Sequence, residues 1–492
     1  MEVRKHTRNQ NACDTCRNRR VKCRFTQGEE VCDGCRFLGV PCTSHRPRRK
    51  RGPPNRYSTF AYKPASVPPM STAVPGVVPA AVASPVSPFP VDSPVYPPML
   101  GVLGLLAPSN LIHGIISDWF DNIHPLAPIL HRRRFLTRLL NGDTSNDPVF
   151  CGLVISLVCA TCVTFRRKSF AEYHPITVER CIHLIQSHNL LPTDGPYSLD
   201  WCVAKYNLAN VAMAHRGMSD PWTHRMLNET MTGSRYLLMY KLDEMALIHR
   251  ELLKRLNCLL KIHMINLDLI GEPALGRHII DRNPSSHPSP YTDSELDPSS
   301  STSSAIPPGH SDNNTYVPGL ISLFAIFHAW YTSQIDRFYL PAAQVLSTGL
   351  ARIQASLDNL PPELRWRGGL SRPQTATPGH DVQIANIFVT SLYVRSNLLQ
   401  QFSHPADNQE EHQSIVSDLL EVLHHLPQQI LEANGYSLTP KLRDIGAAYL
   451  EALQVDLEGE LVVIGDEAKG KLERLLMQMG VLDFRPDVVV GT

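Results

Sequence analysis

Six cysteines near the start of the chain constrain its fold more than any other feature. They repeat one spacing, C-x2-C-x6-C, on either side of an eight-residue gap: Cys13, Cys16, Cys23, then Cys32, Cys35, Cys42. A two-residue gap lets both thiolates of a CxxC pair reach one metal ion, and a one-turn helix after the pair can return the chain to deliver a third sulfur. Six thiolates cannot give two zinc ions four separate ligands each, so two sulfurs must bridge. The spacing therefore predicts a single cluster of two zinc ions.

A disulfide framework is the alternative use of closely spaced cysteines. The chain begins with MEVRKHTRNQ, which lacks the apolar stretch of a secretory signal, so we expect the thiols to stay reduced. Six further cysteines lie in apolar surroundings at Cys151, Cys159, Cys162, Cys181, Cys202 and Cys258. Because cysteine in such places usually acts as a small buried hydrophobe, we expect these to be core residues, with a redox sensor as the alternative.

The repeated spacing resembles that of the fungal binuclear zinc-cluster transcription factors. The likeness covers residues 13–42, although residues 24–31 lack the proline common in the central loop of that family. The resemblance implies that Cys13 and Cys32 bridge the two zinc ions. It also implies that Cys16 and Cys23 complete one zinc site and that Cys35 and Cys42 complete the other.

Basic side chains lie between the cysteines of the first half: Arg17, Arg19, Arg20 and Lys22. A folded turn would direct them toward the phosphate backbone and major groove of double-stranded DNA. The resemblance implies that Arg20 is the recognition residue, with Lys22 as its helper, and that the site is a short G/C-rich triplet. A second basic run follows the cluster at Arg48, Arg49, Lys50 and Arg51. It predicts phosphate contacts and a nuclear-import signal, with a solvated tail as the alternative.

The distribution of charge supports a separate basic module. Residues 1–56 hold 15 Lys and Arg against 5 Asp and Glu, whereas the rest of the chain holds 32 against 41. A strongly basic segment suits a polyanion as its partner.

Composition divides the chain into five predicted parts. The zinc-cluster domain with its basic tail spans 1–56, and a proline-rich linker without regular structure spans 57–104. A helical regulatory part spans 105–280, a disordered Ser/Pro-rich insert spans 281–316, and a helical C-terminal part spans 317–492. The linker prediction rests on 13 prolines between Pro53 and Pro98, because proline prevents both helix propagation and sheet pairing.

Beyond the linker the apolar pattern is helical, which predicts a mostly α fold: a small zinc module followed by a large all-α domain. Residues 111–123 show one apolar helix face behind possible N-caps at Ser109 and Asn110. Residues 149–165 are apolar almost all round but are too short for a typical membrane span, so they predict a buried helix. Further helices are predicted near 199–217, 243–270, 319–336, 381–402, 411–432 and 440–455.

The helical part resembles the middle homology region found downstream of the cluster in the same family. The likeness lies in residues 119–135, in the helix around Glu251, Lys254 and Arg255, and in a later segment around Leu423-His-His-Leu-Pro427. The resemblance implies a regulatory domain. Four histidines in these contexts lack ligand partners at metal spacing, so we assign them no metal: His124, His131, His424 and His425.

The sequence lacks a P-loop, a G-x-S-x-G elbow, an H-E-x-x-H helix and a dinucleotide glycine fingerprint. Three hypotheses follow: a sequence-specific transcription regulator, a zinc-containing adaptor that binds protein or RNA, and an enzyme with a zinc appendage. The first hypothesis is favoured. We expect such a regulator to lie in the nucleus, to bind the transcription machinery and to make no contact with a membrane. The resemblance implies RNA polymerase II target genes in one fungal pathway of secondary metabolism or catabolism. Residues 57–104 lack coiled-coil heptads, so we expect monomeric binding or a homodimer through the helical body.

Overall fold

The computed structural model describes residues 6–7, 13, 23, 25–26, 31–32, 35–36, 40–43, 101–271, 287–297, 316–366, 373–404, 408–454 and 465–483. The chain divides into two compact units, Met1–Pro90 and Val91–Thr492. In the first unit two short strands, β1 (His6–Thr7) and β2 (Phe25–Thr26), pair antiparallel.

The described part of the second unit is built from helices and contains no strand. In chain order its α-helices are α1 Val102–Leu106, α2 Ser109–Asp118, α3 Arg132–Leu140, α4 Pro148–Thr164, α5 Arg166–Ala171, α6 Val178–Ser187, α7 Leu199–Arg216, α8 Pro221–Tyr240, α9 Leu247–Leu269, α10 Asp293–Leu296, α11 Val317–Asp336, α12 Ala342–Asp358, α13 Pro378–Phe402, α14 Gln409–His425, α15 Gln428–Gln454 and α16 Asp466–Leu482. The predicted mostly α fold class is confirmed.

Helix α4 confirms the predicted buried helix. It begins at Pro148, and the Asp147 side chain caps it by accepting the N–H of Phe150 at 3.0 Å. A proline is well suited to this first position because its missing N–H would have no partner there. Nearly every α4 side chain is buried, because α2, α6 and α7 all pack around the helix. None of the described helices is long and apolar enough to cross a membrane.

Two predicted helix boundaries are wrong. Helix α2 begins at Ser109 itself, with Pro108 as its N-cap, and beyond Asp118 it continues as a π-helical turn over Trp119–Ile123. The pattern predicted for 411–432 is divided, because α14 ends at His425 and α15 begins at Gln428 after Pro427. A proline cannot continue the backbone hydrogen bonding of the preceding helix.

One hydrophobic core joins the two halves of the helical body. Helices α4, α7 and α8 pack together in the first half, and α13, α15 and α16 in the second. Helix α9 packs against α11 and so connects the halves across the residues that separate them in sequence. The buried core residues range from Leu103 to Leu475 and form one cluster.

Part of the predicted disordered insert is folded. Residues 287–297 carry the short helix α10, which begins with a capping box between Thr292 and Glu295. Arg255, fully buried in α9, donates to the Tyr291 carbonyl at 2.9 Å. The Glu251 carboxylate accepts the N–H of Ser289 at 2.9 Å. Buried charges need partners, and this segment supplies them, which composition alone does not reveal.

Candidate metal centre and nucleic-acid-binding module

Four thiols of the first unit converge on one point. The Sγ atoms of Cys13, Cys32, Cys35 and Cys42 all lie within 4.8 Å of one another. Cys13 Sγ lies 3.8 Å from Cys32 Sγ and 3.6 Å from Cys35 Sγ. Cys13, Cys32 and Cys35 are almost fully buried, and Cys23 and Cys42 pack against them.

These sulfur separations can be tested against a metal site. A zinc ion with four sulfurs at about 2.3 Å in tetrahedral geometry places neighbouring sulfurs about 3.8 Å apart. The separations of 3.8 and 3.6 Å match that edge, whereas a disulfide requires about 2.0 Å. The four thiols therefore fit a zinc ion. They are the set that the resemblance assigns to one of the two zinc sites, with Cys13 and Cys32 as bridging ligands.

Each half of the cysteine repeat contains the same hydrogen bond from a backbone N–H to a sulfur. The N–H of Cys13 donates to Cys23 Sγ at 3.5 Å, and the N–H of Cys32 donates to Cys42 Sγ at the same distance. In each half the backbone of the first cysteine thus contacts the side chain of the third cysteine, ten residues further on. N–H donors near sulfur favour the thiolate that a metal ion requires.

A turn after the second CxxC pair returns the chain to the cluster. The N–H of Arg36 donates to the Cys32 carbonyl at 2.9 Å, which is the hydrogen bond of a helical turn. The N–H of Val40 then donates to the Cys35 carbonyl at 3.1 Å. This local turn brings Cys42 back beside Cys32, as the six-residue spacing predicts.

The electrostatics of the thiol cluster favour a bound cation. Burial, together with the neighbouring thiols of Cys32 and Cys13, raises the pKa of Cys35 to about 12. The Cys32 N–H lowers the pKa of Cys42, but burial and the adjacent thiols outweigh it and the net shift is upward. Crowded thiolates repel one another, and a divalent cation removes that repulsion by stabilising the charged form.

Comparison of the sequence with known protein families identifies the kind of metal centre. Residues 11–51 match the fungal Zn(2)-Cys(6) binuclear cluster domain. The Zn(2)-Cys(6) domain holds two zinc ions on six cysteines and occurs in zinc-dependent DNA-binding transcription regulators, which are typically nuclear. Zinc is thus the cofactor, and the predictions of zinc and of DNA binding are confirmed at this level. Comparison with curated proteins and with solved structures gives no significant match.

Several predicted site residues lie outside the described residues. They are the ligand Cys16 and the DNA contacts Arg17, Arg19, Arg20, Lys22, Arg48, Arg49, Lys50 and Arg51. Of the six predicted zinc ligands, five pack together in the structure. The sulfurs of four of them, Cys13, Cys32, Cys35 and Cys42, all lie within 4.8 Å of one another.

Residues of the body that were assigned no metal have structural roles. His124 is buried and pairs with the Leu130 carbonyl at 2.8 Å, and burial lowers its pKa to about 3, so the ring stays neutral. His131 caps α3 by accepting the N–H of Arg134. All six scattered cysteines are buried, which confirms their prediction as core residues.

One group of polar residues in the helical body was not predicted from the sequence. A cavity of about 130 Å³ between the helices is lined by Lys441, His263, Tyr206 and several asparagines. The only sequence signal is a lysine among apolar residues after Pro440, a pattern that is common at helix surfaces.

Proposed function

We propose that the chain is a sequence-specific transcription factor that regulates RNA polymerase II genes of one fungal pathway, in secondary metabolism or catabolism. One observation carries this proposal: four thiols at zinc–sulfur tetrahedral spacing inside a segment that matches the Zn(2)-Cys(6) domain. The proposed location is the nucleus, with double-stranded DNA and the transcription machinery as partners.

The zinc cluster is proposed to use all six cysteines. Cys13 and Cys32 bridge the ions, Cys16 and Cys23 complete one site, and Cys35 and Cys42 complete the other. The clustering of Cys13, Cys32, Cys35 and Cys42 supports this division. Since so small a module has little apolar core, it is expected to depend on zinc for its fold.

Elemental analysis of the full-length protein tests the cluster. The wild type should contain two zinc ions per chain, and Cys35→Ala should lose at least one because its site then has only three sulfurs. Cys258→Ala is the matched control, since that cysteine is buried in α9 and should leave both ions bound. One zinc in the wild type, or unchanged zinc in Cys35→Ala, would contradict the bridged cluster.

The DNA contacts are proposed to divide into two kinds. Arg20, with Lys22 beside it, reads guanine in a G/C-rich triplet, because an arginine can bond guanine O6 and N7 bidentately. The neighbouring basic residues, Arg17 and Arg19 in the module and Arg48, Arg49, Lys50 and Arg51 in the tail, contact phosphate. The tail also serves as the nuclear-import signal.

A salt titration of binding separates the two kinds of contact. Arg20→Ala should lose about 1–3 kcal/mol of preference for the target duplex over a scrambled one. Arg48→Ala, the matched control, should weaken both duplexes alike and reduce the salt slope by about 0.9. If Arg20→Ala weakens both duplexes equally, Arg20 is a phosphate contact. If the wild type binds target and scrambled duplexes equally, the adaptor hypothesis replaces the proposed function.

The helical body is proposed to be the regulatory part, similar to the middle homology region of the family, spanning 105–280 and 317–492 on either side of the insert at 281–316. Its packing around one continuous core supports treating both parts as one regulatory domain. The predicted linker of 57–104 overlaps helix α1, which begins at Val102, so the linker is proposed to end before that residue. It then separates the regulatory part from the DNA-binding domain at 1–56. A homodimer, where one forms, is proposed to use this body.

A further inference from the structure

The helical body contains a polar cavity at the meeting point of helices that are far apart in sequence. Helices α4, α7, α9, α11, α13 and α15 all contribute to its lining, and its volume is about 130 Å³. One wall is apolar, with Val163, Leu259 and Phe327 among its residues. A cavity of roughly 150 Å³ in another protein takes up one benzene molecule, so this one has room for about six non-hydrogen atoms.

Two interruptions of regular helix border the cavity. Ile123 ends the π-helical turn that follows α2, and π-helical turns occur frequently at functional sites. Helix α15 is broken at Gly435, whose φ of 28° lies outside the helical region. Asn434, Tyr436 and Lys441, on both sides of that break, line the cavity. The break thus directs polar side chains of one helix into the space.

Lys441 is the only charged side chain among the lining residues, apart from the titratable ring of His263. It is buried, and its ammonium donates to Thr390 Oγ1 at 2.7 Å and to Asn386 Oδ1 at 3.3 Å. Both acceptors are neutral, and within the described part of the chain no carboxylate comes within ion-pair distance of it. The ammonium also lies 5.8 Å from the centre of the Phe327 ring. A lysine carries three N–H donors, and these two oxygen acceptors take only two of them. A buried ammonium without an anion is costly, and an anionic ligand would remove that cost.

The amide of Asn434 is held in place beside the cavity. Its nitrogen donates to the carbonyls of Val382 at 3.0 Å and Ile430 at 3.1 Å, which fixes the orientation of the amide. Its Oδ1 is buried and accepts no hydrogen bond from the described residues. Almost none of the surface of this oxygen is accessible, so Asn434 shapes the wall of the cavity rather than pairing with a ligand through Oδ1.

Two hydrogen-bonded pairs of polar side chains also belong to the lining. Tyr206 Oη lies 3.1 Å from His263 Nε2, and Tyr436 Oη donates to Asn210 Oδ1. Burial, together with the charge of Lys441, lowers the pKa of His263 to about 4, so the histidine is neutral and does not compete for an anion.

We propose that this cavity binds a small carboxylic acid, whose carboxylate pairs with Lys441. The apolar part of the lining accepts the short hydrocarbon part, and the volume suits a ligand of about six non-hydrogen atoms. This site is independent of the zinc cluster, since it belongs to the second unit of the chain.

Isothermal titration calorimetry of the full-length, zinc-loaded protein tests the proposal, with glycolate, lactate and 2-hydroxyisobutyrate as probes. At least one acid should bind, and its uncharged amide should bind at least about tenfold more weakly, since a hydrogen bond to a charged group contributes about 1.5–3 kcal/mol. No binding of any acid, or equal affinity for acid and amide, would overturn the proposal and leave water as the occupant.

Variants assign the binding to this cavity. Lys441→Met should reduce the affinity at least about tenfold, because the ammonium is lost while the side-chain volume is kept. Lys471→Met is the matched control, because Lys471 pairs with Glu467 within α16 and is not a lining residue. Ala160→Met should also abolish binding by filling the space from α4. Thermal unfolding without ligand verifies that each variant is folded. Unchanged affinity in Lys441→Met would place the acid elsewhere and overturn the site.

Discussion

Replacing Lys441 by methionine should make the stability of the protein less dependent on pH. Burial lowers the pKa of Lys441 from 10.5 to about 7 in the folded protein. Each pKa unit corresponds to about 1.4 kcal/mol, so the buried charge costs up to about 5 kcal/mol when the lysine is protonated.

The direction of the pH effect follows from proton binding. Below pH 7 the folded and unfolded states both carry the proton, and the folded state bears the full cost of burying the charge. Between pH 7 and pH 10.5 the unfolded state binds more protons than the folded state, so the free energy of unfolding of the wild type rises with pH. The Lys441→Met variant lacks this contribution to the pH dependence of the free energy of unfolding. Its stability relative to the wild type should therefore be greatest at low pH.

Urea unfolding followed by circular dichroism at several pH values measures this difference. From pH 6 to pH 9 the advantage of Lys441→Met over the wild type should shrink by about 3 kcal/mol, at about 1.4 kcal/mol per pH unit above the folded-state pKa. Burial raises the pKa of Tyr206 and Tyr436 and lowers that of His263, so these rings stay neutral over this range in the wild type. A stability difference that does not change with pH would refute the view that Lys441 is a buried, unpaired cation.

Four further predictions address the two units. Removal of zinc by a strong chelator should abolish DNA binding measured by gel shift while the helical circular dichroism signal of the body changes little, because the described helices α1–α16 lie in the second unit. Trp119→Ala should lower the free energy of unfolding by about 3–5 kcal/mol, since this side chain is fully buried and leaves a large cavity. Arg255→Met should release residues 287–297, which limited proteolysis would detect as new cleavage sites, because the hydrogen bond to Tyr291 and the ion pair with Asp293 are lost. Gly435→Ala should destabilise the protein by about 1 kcal/mol in thermal unfolding, because the positive φ strains any residue with a Cβ atom.

The helical body could be predicted as a class but not in its details. The apolar periodicity around Leu199–Arg216 and Val317–Asp336 lies within a residue or two of the observed helices. Helices α3 and α12 were not predicted. Helix α3 is short and rich in arginine, and α12 buries only Val345, Gly349 and Ile353. The boundary at Pro427 was missed because the apolar repeat continues across the proline, while the backbone hydrogen bonding does not.

The zinc centre was determined by the sequence alone, because metal ligation within a short segment depends on residue type and on spacing along the chain. The turn after Cys35 arises from a few neighbouring residues, as the cysteine spacing predicts. The matching contacts of Cys13 and Cys32 were not predicted, although they too join residues only ten apart. The polar cavity was decided only by the tertiary structure. Lys441 lies 51 residues from Thr390, and Tyr436 lies 226 residues from Asn210. Such pairs are brought together by helix packing, and no local pattern in the sequence records which distant helices will meet.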